Sequence, residues 1–228
     1  MIKFIEILRQ AFFKSLDKNF FSQFGEDRIL NEIFNSNIKN GFYVDVGSYH
    51  PIKHSNTCRL NKKGWSGINV DVENDKIKVF NLTRKNDYNV LAPVSTKNEI
   101  LKIYKTQHYG VGTTTNKEFI KKDNRILETN SLQSQTLNHI LELSPFSSRE
   151  IDLLSIDTEG TDFDVLQSLD IEKYRPKIIV IESHLNKIED ILQSEIYSYL
   201  SKKKYRLRSW AFYSLIFILP NSKELRDR

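Results

Sequence analysis

The stretch "NGFYVDVGSYHPIKHSN" at residues 40–56 decides the fold. Its apolar run "FYVDV" (42–46) is short, rich in β-branched and aromatic residues, and is followed at once by a glycine. Such near-continuous apolar runs are typical of strands that are buried on both faces of a parallel sheet. Asp45 and Gly47 would then lie at the tip of a buried strand, which is where doubly wound sheets bind their ligands.

Similar apolar runs recur along the chain and alternate with amphipathic segments. The other predicted strands are "GINVDV" (67–72), "YNVLAPV" (88–94), "IDLLSID" (151–157), "KIIVIE" (177–182), "YRLRSW" (205–210) and "FYSLIFIL" (212–219). The last two runs are nearly contiguous, which predicts an antiparallel pair at the sheet edge. Residues 188–200 carry their apolar side chains on one face and predict the clearest helix. Strands that alternate with helices indicate an α/β doubly wound fold.

The length and composition predict one domain. A chain of 228 residues with 39% hydrophobic residues can bury a single well-packed core. We expect that domain to span residues 21–228, preceded by an amphipathic helix at residues 1–20. Residues 106–136 are polar and poorly periodic, which predicts a lid or an insert.

Cysteine usage and charge bear on location and partners. The single cysteine, Cys58, excludes an internal disulfide and a cysteine-cluster metal site, and it fits a cytoplasmic location. The net charge of +5 raises a nucleic-acid hypothesis, but 34 basic residues are interleaved with 29 acidic ones, so we expect no nucleic-acid partner. The helix at residues 1–20 is expected to pack on the domain. Its basic residues leave peripheral contact with the inner face of the membrane as the alternative.

The predicted strand ends indicate a nucleoside cofactor. Asp71 lies at the end of the next predicted strand along the chain from that of Asp45. A carboxylate at this position can accept hydrogen bonds from both hydroxyls of a ribose. Gly47 permits close backbone approach to a ligand. Residues 47–52 read GSYHPI, so the G-x-G-x-x-G pyrophosphate fingerprint is absent. A ribose site without a phosphate cradle favours S-adenosylmethionine over NAD or ATP. The alternative is that Asp45 and Asp71 only cap the following helices.

Five short motifs together carry a family resemblance. They are "SQFGED" (22–27), "SNT" (55–57), "GWSGI" (64–68), "SIDTEG" (155–160) and "RPKIIVIE" (175–182). In this combination the chain resembles the FkbM family of S-adenosylmethionine-dependent methyltransferases over most of its length. The resemblance implies a Rossmann-like class I methyltransferase fold. That fold is a mostly parallel seven-stranded sheet with an antiparallel last strand and helices on both faces.

The resemblance also implies which residues bind the cofactor. Asp45, Gly47 and Ser48 would line its methionine end. Asp71 would hold the ribose, and Val72 would flank the adenine. Three further positions match family motifs near the pocket, namely Gln23, Glu26 and Asn56.

Many members of this family methylate sugar hydroxyls. The resemblance therefore implies an O-methyltransferase acting on a saccharide or sugar-nucleotide in surface-polysaccharide or glycoconjugate biosynthesis. The alternatives are an RNA methyltransferase, suggested by the basic pI, and a non-catalytic methyltransferase-like scaffold. The residues predicted to contact the acceptor are Tyr49, Glu159, His108 and Tyr109, with Trp210 and Tyr213 as further aromatic candidates.

A sugar hydroxyl is a poor nucleophile at neutral pH and needs a general base or a metal ion. Two mechanisms remain open. In the first, His184 or His50 acts as the base, and Asp157 or Glu182 orients the imidazole. In the second, Asp157, Glu182 and His184 hold Mg²⁺ or another divalent cation.

Overall fold

The computed structural model describes residues 20–34, 38–106, 112–120, 125–220, 222 and 225. Two predictions lie outside these residues: the amphipathic helix at the N-terminus, and the acceptor contacts of His108 and Tyr109. Within the described part of the chain, every helix is too short or too polar to cross a membrane.

A seven-stranded sheet forms the centre of the molecule. The strands, in chain order, are β1 (Phe42–Val46), β2 (Ser66–Asp71), β3 (Tyr88–Leu91), β4 (Ile100–Lys105), β5 (Thr113–Thr114), β6 (Glu128–Gln133), β7 (Leu153–Ile156), β8 (Ile178–Glu182), β9 (Arg206–Ala211) and β10 (Ser214–Ile218). The central sheet has the order β3-β2-β1-β7-β8-β10-β9. Strands β3, β2, β1, β7 and β8 are parallel to one another, while β10 pairs antiparallel with both β8 and β9. This topology confirms the predicted fold class, including the antiparallel last strand.

Helices cover both faces of this sheet. They are α1 (Glu26–Ile33), α2 (Cys58–Lys62), α3 (Asn74–Thr83), α4 (Leu137–Leu143), α5 (Asp162–Gln167), α6 (Ile171–Tyr174), α7 (Ile188–Gln193) and α8 (Glu195–Lys202). Successive side chains of a strand point to opposite faces. Accordingly, Phe42 and Val44 of β1 join one apolar cluster with α4, and Tyr43 joins a second cluster with α1. Burial on both faces explains the continuous apolar run of this strand.

The helix predicted over residues 188–200 is in fact two helices, α7 and α8. Ser194 lies between the two helices, and its backbone is extended, at φ −68° and ψ 155°. Its hydroxyl accepts the backbone N–H of Tyr197 at 3.2 Å and donates to the carbonyl of Ile191 at 2.7 Å, so one serine caps both helices. The apolar periodicity continues across this break, which is why the pattern predicted one helix.

The segment predicted as an irregular lid or insert, residues 106–136, contains regular structure. Within it, β5 and β6 pair antiparallel with β4 to form a separate three-stranded sheet. Almost every side chain of β6 is exposed, so its sequence lacks the apolar alternation that identifies a half-buried strand. The sequence pattern therefore did not indicate these two strands, and the assignment of residues 106–136 as a lid or an insert stays a prediction.

Candidate active site

A cavity lies at the carboxyl ends of the parallel strands. It contains about 720 Å³ of empty space, part of it open to solvent. The cavity borders β1 where β2 lies on one side and β7 on the other, which is the point where the strand order reverses. The predicted site residues that line it are Gln23, Gly47, Tyr49, Asp71, Val72, Asp157 and Glu159.

Gly47 forms the closest backbone approach in this rim. Its φ is +78°, in the region that favours glycine. Its N–H and that of Ser48 both donate to the carbonyl of Val70, at 2.9 and 3.1 Å, so β1 ends tightly against β2. A Cβ atom at Gly47 would lie 1.7 Å from the carbonyl oxygen of Asp157. Only glycine therefore lets the ends of β1 and β7 meet here.

Asp71 is buried and organises the loops around the cavity. Its carboxylate accepts the backbone N–H groups of Tyr49 and Glu73, each at 2.9 Å. Lys76 Nζ lies 3.8 Å from one carboxylate oxygen. Burial raises the pKa of Asp71, and the charge of Lys76 opposes this shift. Asp71 thus fixes the turn that leads into α3. It does not cap that helix, whose N-cap position is Glu73, and it also lines the cavity.

Three other predicted cofactor contacts lie behind the cavity wall. Asp45 is buried and accepts the hydroxyl of Thr57 at 2.7 Å. Burial raises the pKa of Asp45, while this hydrogen bond and the charge of Arg84 lower it. The Asn56 amide donates to the Ser155 hydroxyl at 3.1 Å, and the Ser48 hydroxyl donates to the Val70 carbonyl at 3.3 Å. Asp45, Ser48 and Asn56 therefore support the strand ends without lining the cavity.

Glu26, from the "SQFGED" motif, also has a supporting position. It is buried, and its carboxylate accepts the backbone N–H of Phe24 and the hydroxyl of Ser214, each at 2.8 Å. These contacts attach the start of α1 to β10.

His50 does not line the cavity. Its Nδ1 atom accepts the backbone N–H groups of Ile52 and Lys53, at 3.0 and 3.1 Å. The imidazole therefore caps a turn. Burial, followed by the charge of Lys53, lowers the pKa of His50. Its position does not support the predicted role as the base.

Acidic side chains gather at the ends of β7 and β8. Burial, and then the charges of Glu182 and Asp162, raise the pKa of Asp157 well above its usual value. Burial also raises the pKa of Glu182 to about 9, with repulsion from Asp162 and Glu159 adding to the shift. His184 Nε2 lies 3.1 Å from Glu182 Oε1. The structure thus brings together Asp157, Glu159, Glu182 and His184, as the strand ends predicted.

Aromatic rings border this acidic group. The ring centroid of His184 lies 4.9 Å from that of Phe119 and 4.8 Å from that of Tyr213. Phe212 packs edge-on against Tyr213 at 4.9 Å and stacks on Phe24 at 4.8 Å. Phe212 is 63% exposed, so the set of Phe24, Phe119, Phe212 and Tyr213 forms an aromatic surface open to solvent.

Several cavity residues were not found from the sequence. Lys76 Nζ lies 4.8 Å from the centroid of the Tyr49 ring and 2.7 Å from Glu73 Oε1. The His54 ring stacks on Tyr49 at 5.7 Å, and its buried Nδ1 has no hydrogen-bond partner. Thr114, from the second sheet, donates to the carbonyl of Glu159 at 2.7 Å. No local pattern in the sequence indicated these three residues, because their places at the cavity depend on how separate elements pack together.

The comparisons with known proteins bear on the family to which the chain belongs. The family model described as the methyltransferase FkbM domain matches residues 45–207, which is more than half of the chain. No curated protein matches the chain in sequence. A solved structure, a TehB-like SAM-dependent methyltransferase from Corynebacterium glutamicum ATCC 13032 Kitasato, is similar with a TM-score of 0.44 and 12% identity, over 94% of this chain and 97% of that chain. A likeness at that score supports no statement about activity. The family match itself confirms the resemblance, and the chain belongs to the FkbM methyltransferase domain family.

Proposed function

We propose that the protein is an S-adenosylmethionine-dependent O-methyltransferase that acts on a hydroxyl of a saccharide or sugar-nucleotide. The observation that carries the proposal is the cavity at the switch point of the sheet, with Asp71, Asp157 and Glu159 in its lining. Membership of the FkbM methyltransferase domain family supports methyl transfer as the reaction.

The side chains of the cavity fit the methyl donor. Asp71 has further acceptor capacity for ribose hydroxyls, because each carboxylate oxygen carries two lone pairs. Val72 lines the same end of the cavity and offers an apolar contact to adenine. Gly47 allows the methionine end to approach the backbone. His54 Nδ1 is buried without a hydrogen-bond partner, and it would accept a hydrogen bond from the ammonium group at the methionine end of the donor.

The acidic side of the cavity offers a carboxylate that can take the proton of a hydroxyl acceptor. When bound, the donor supplies a methyl carbon on a positively charged sulfur, and the attacking oxygen must be aligned with that bond. Asp157 is the carboxylate at the end of β7 that lines the cavity. We assign to it the proton of the acceptor hydroxyl. In its ionised form Asp157 would take this proton as the acceptor oxygen receives the methyl group that the bound donor would supply, and the donor's sulfur would keep the electron pair of the bond it loses.

The aromatic surface supports a saccharide acceptor. Sugars stack their C–H faces on aromatic rings, and Tyr213 and Phe119 contact His184 beside the acidic group. The proposal includes surface-polysaccharide or glycoconjugate biosynthesis as the pathway and the cytoplasm as the location. The single thiol of Cys58, buried and unpaired, supports a reducing compartment.

Asp71→Asn should weaken the binding of S-adenosylhomocysteine by about 10- to 100-fold, because hydrogen bonds to a charged group contribute about 1.5–3 kcal/mol. The substitution removes the negative charge and turns an amide N–H₂ toward a backbone N–H. Calorimetric titration measures the effect. Asp75→Asn is the matched control, since Asp75 lies four residues later, in the first turn of α3, is exposed and pairs with Lys78 on the surface. Equal affinities in wild type and Asp71→Asn would remove Asp71 from the donor site.

Asp157→Asn should abolish methyl transfer while leaving S-adenosylhomocysteine binding within a few-fold of wild type. The assay offers the methyl donor with a panel of sugar-nucleotides and oligosaccharides, and mass spectrometry detects a methyl ether. Asp164→Asn, an exposed aspartate on α5, should retain full activity. Methylation of saccharides by Asp157→Asn at the wild-type rate would contradict the assigned role.

An RNA acceptor is the main competing substrate class, and the same assay tests it. If RNA is methylated and saccharides are not, the proposed substrate is wrong. Binding of RNA would also weaken steeply as salt rises, because phosphate contacts release counterions.

A further inference from the structure

Three potential metal ligands meet beside the donor cavity. Glu159 follows β7, Glu182 ends β8, and His184 comes two residues later. One ligand atom from each lies within 4.8 Å of the others. Two ligand atoms on one divalent ion can be up to about 4.4 Å apart, since each bond is about 2.0–2.2 Å long. Side-chain shifts of a few tenths of an ångström would therefore let all three bind one ion. Glu159, and not Asp157, belongs to this group.

A second observation points to a ligand at the same place. The Glu182 side chain is only 10% exposed, and its Oε1 atom lies 3.1 Å from His184 Nε2. Its other oxygen, Oε2, is buried and has no hydrogen-bond partner. A buried carboxylate oxygen without a partner is costly to keep in a folded protein. A cation at this position would satisfy it.

We propose that Glu159, Glu182 and His184 bind a divalent cation of the Mg²⁺ or Mn²⁺ class. Carboxylates suit these hard ions, and one imidazole is compatible with Mn²⁺ in particular. Three protein ligands leave coordination positions that waters or ligand oxygens fill. Glu159 also lines the donor cavity, so the ion lies between that cavity and the aromatic surface. Its role, which rests on the proposed function, is to hold neighbouring hydroxyl oxygens of the acceptor.

The test measures binding of Mn²⁺ alone to the full chain, by electron paramagnetic resonance of free Mn²⁺ and by calorimetry. We expect one bound ion per chain. Glu182→Gln and His184→Gln should each weaken its binding at least about 10-fold, since even the loss of an outer-shell partner costs 10- to 100-fold in affinity. Because His184 is exposed, we expect His184→Gln to fold normally. Thermal melting checks this.

Glu195→Gln is the matched control, because Glu195 borders the same surface depression as Glu182 and His184 but is not part of the ligand group. It should bind Mn²⁺ as the wild type does. An equal loss in Glu195→Gln, unchanged affinity in both ligand variants, or no binding by the wild type at millimolar Mn²⁺ would overturn the proposal. Titration of S-adenosylhomocysteine in the presence of EDTA separates the two claims. Donor binding without Mn²⁺ binding would reject the cation site alone, and loss of both would reject the proposed function as well.

Discussion

Gly47→Ala should destabilise the fold by about 2–5 kcal/mol and abolish binding of S-adenosylhomocysteine. A non-glycine residue in the left-handed region costs about 1–2 kcal/mol, and forcing extra atoms into a packed site costs about 1–3 kcal/mol more. The added Cβ would lie 1.7 Å from the Asp157 carbonyl oxygen, so the ends of β1 and β7 must separate. Chemical denaturation measures the stability, and calorimetry measures the affinity.

Gly64→Ala is the control for the backbone contribution. Gly64 has a similar φ of +88°, but a Cβ atom there would meet nothing within 4 Å. This variant should lose only the conformational part, about 1–2 kcal/mol, and keep its affinity for S-adenosylhomocysteine. If both alanine variants behave alike, the close approach between β1 and β7 has no energetic importance.

Arg84→Met should lower the free energy of unfolding by about 3–5 kcal/mol. The substitution removes the guanidinium, and the buried oxygen atoms that accept its hydrogen bonds are then left without a partner. Arg84 is only 4% exposed. Its guanidinium donates to the hydroxyls of Thr57 and Ser55 at 2.8 and 3.0 Å, and to the carbonyl of Pro51. Thr57 in turn donates to the buried carboxylate of Asp45. Loss of Arg84 therefore leaves the Asp45 carboxylate with less compensation.

A double-mutant cycle identifies this coupling. Asp45→Asn combined with Arg84→Met should be less destabilising than the sum of the two single changes, because the double variant no longer buries an uncompensated charge. Lys78→Met is the control on α3, since Lys78 is exposed and its surface pair with Asp75, which water screens, should contribute little to stability. Strict additivity at Asp45 and Arg84 would mean that the two residues act independently.

The fold class and the residues at the strand ends were largely predictable. The apolar runs in β1, β2, β7 and β8 are continuous because both faces of these strands are buried, and that burial is recorded locally in the sequence. Parallel strands bring their carboxyl ends to one rim, so the placement of Asp45 and Gly47 at that rim followed from the fold class alone.

Elements without such a local pattern were not predictable. The break at Ser194 leaves the apolar face of α7 and α8 unchanged, so periodicity cannot detect it. The strand β6 is exposed on nearly all of its residues, so its sequence resembles a polar loop. Lys76 and His54 face the cavity only because α3 and the loop after β1 pack where they do.

The amino-acid sequence alone determined the fold class, the strand ends that form the rim and the family to which the chain belongs. Only the tertiary structure decided which of those residues face the cavity and which lie behind it. Asp45 turns inward toward Thr57, whereas Gly47 meets Asp157 across the strands β1 and β7. The tertiary structure also decided that the carboxylate of Glu159 lies close to Glu182 and His184. The physical reason is that periodicity records burial along one element, whereas these contacts depend on how the ends of different strands are packed together in space.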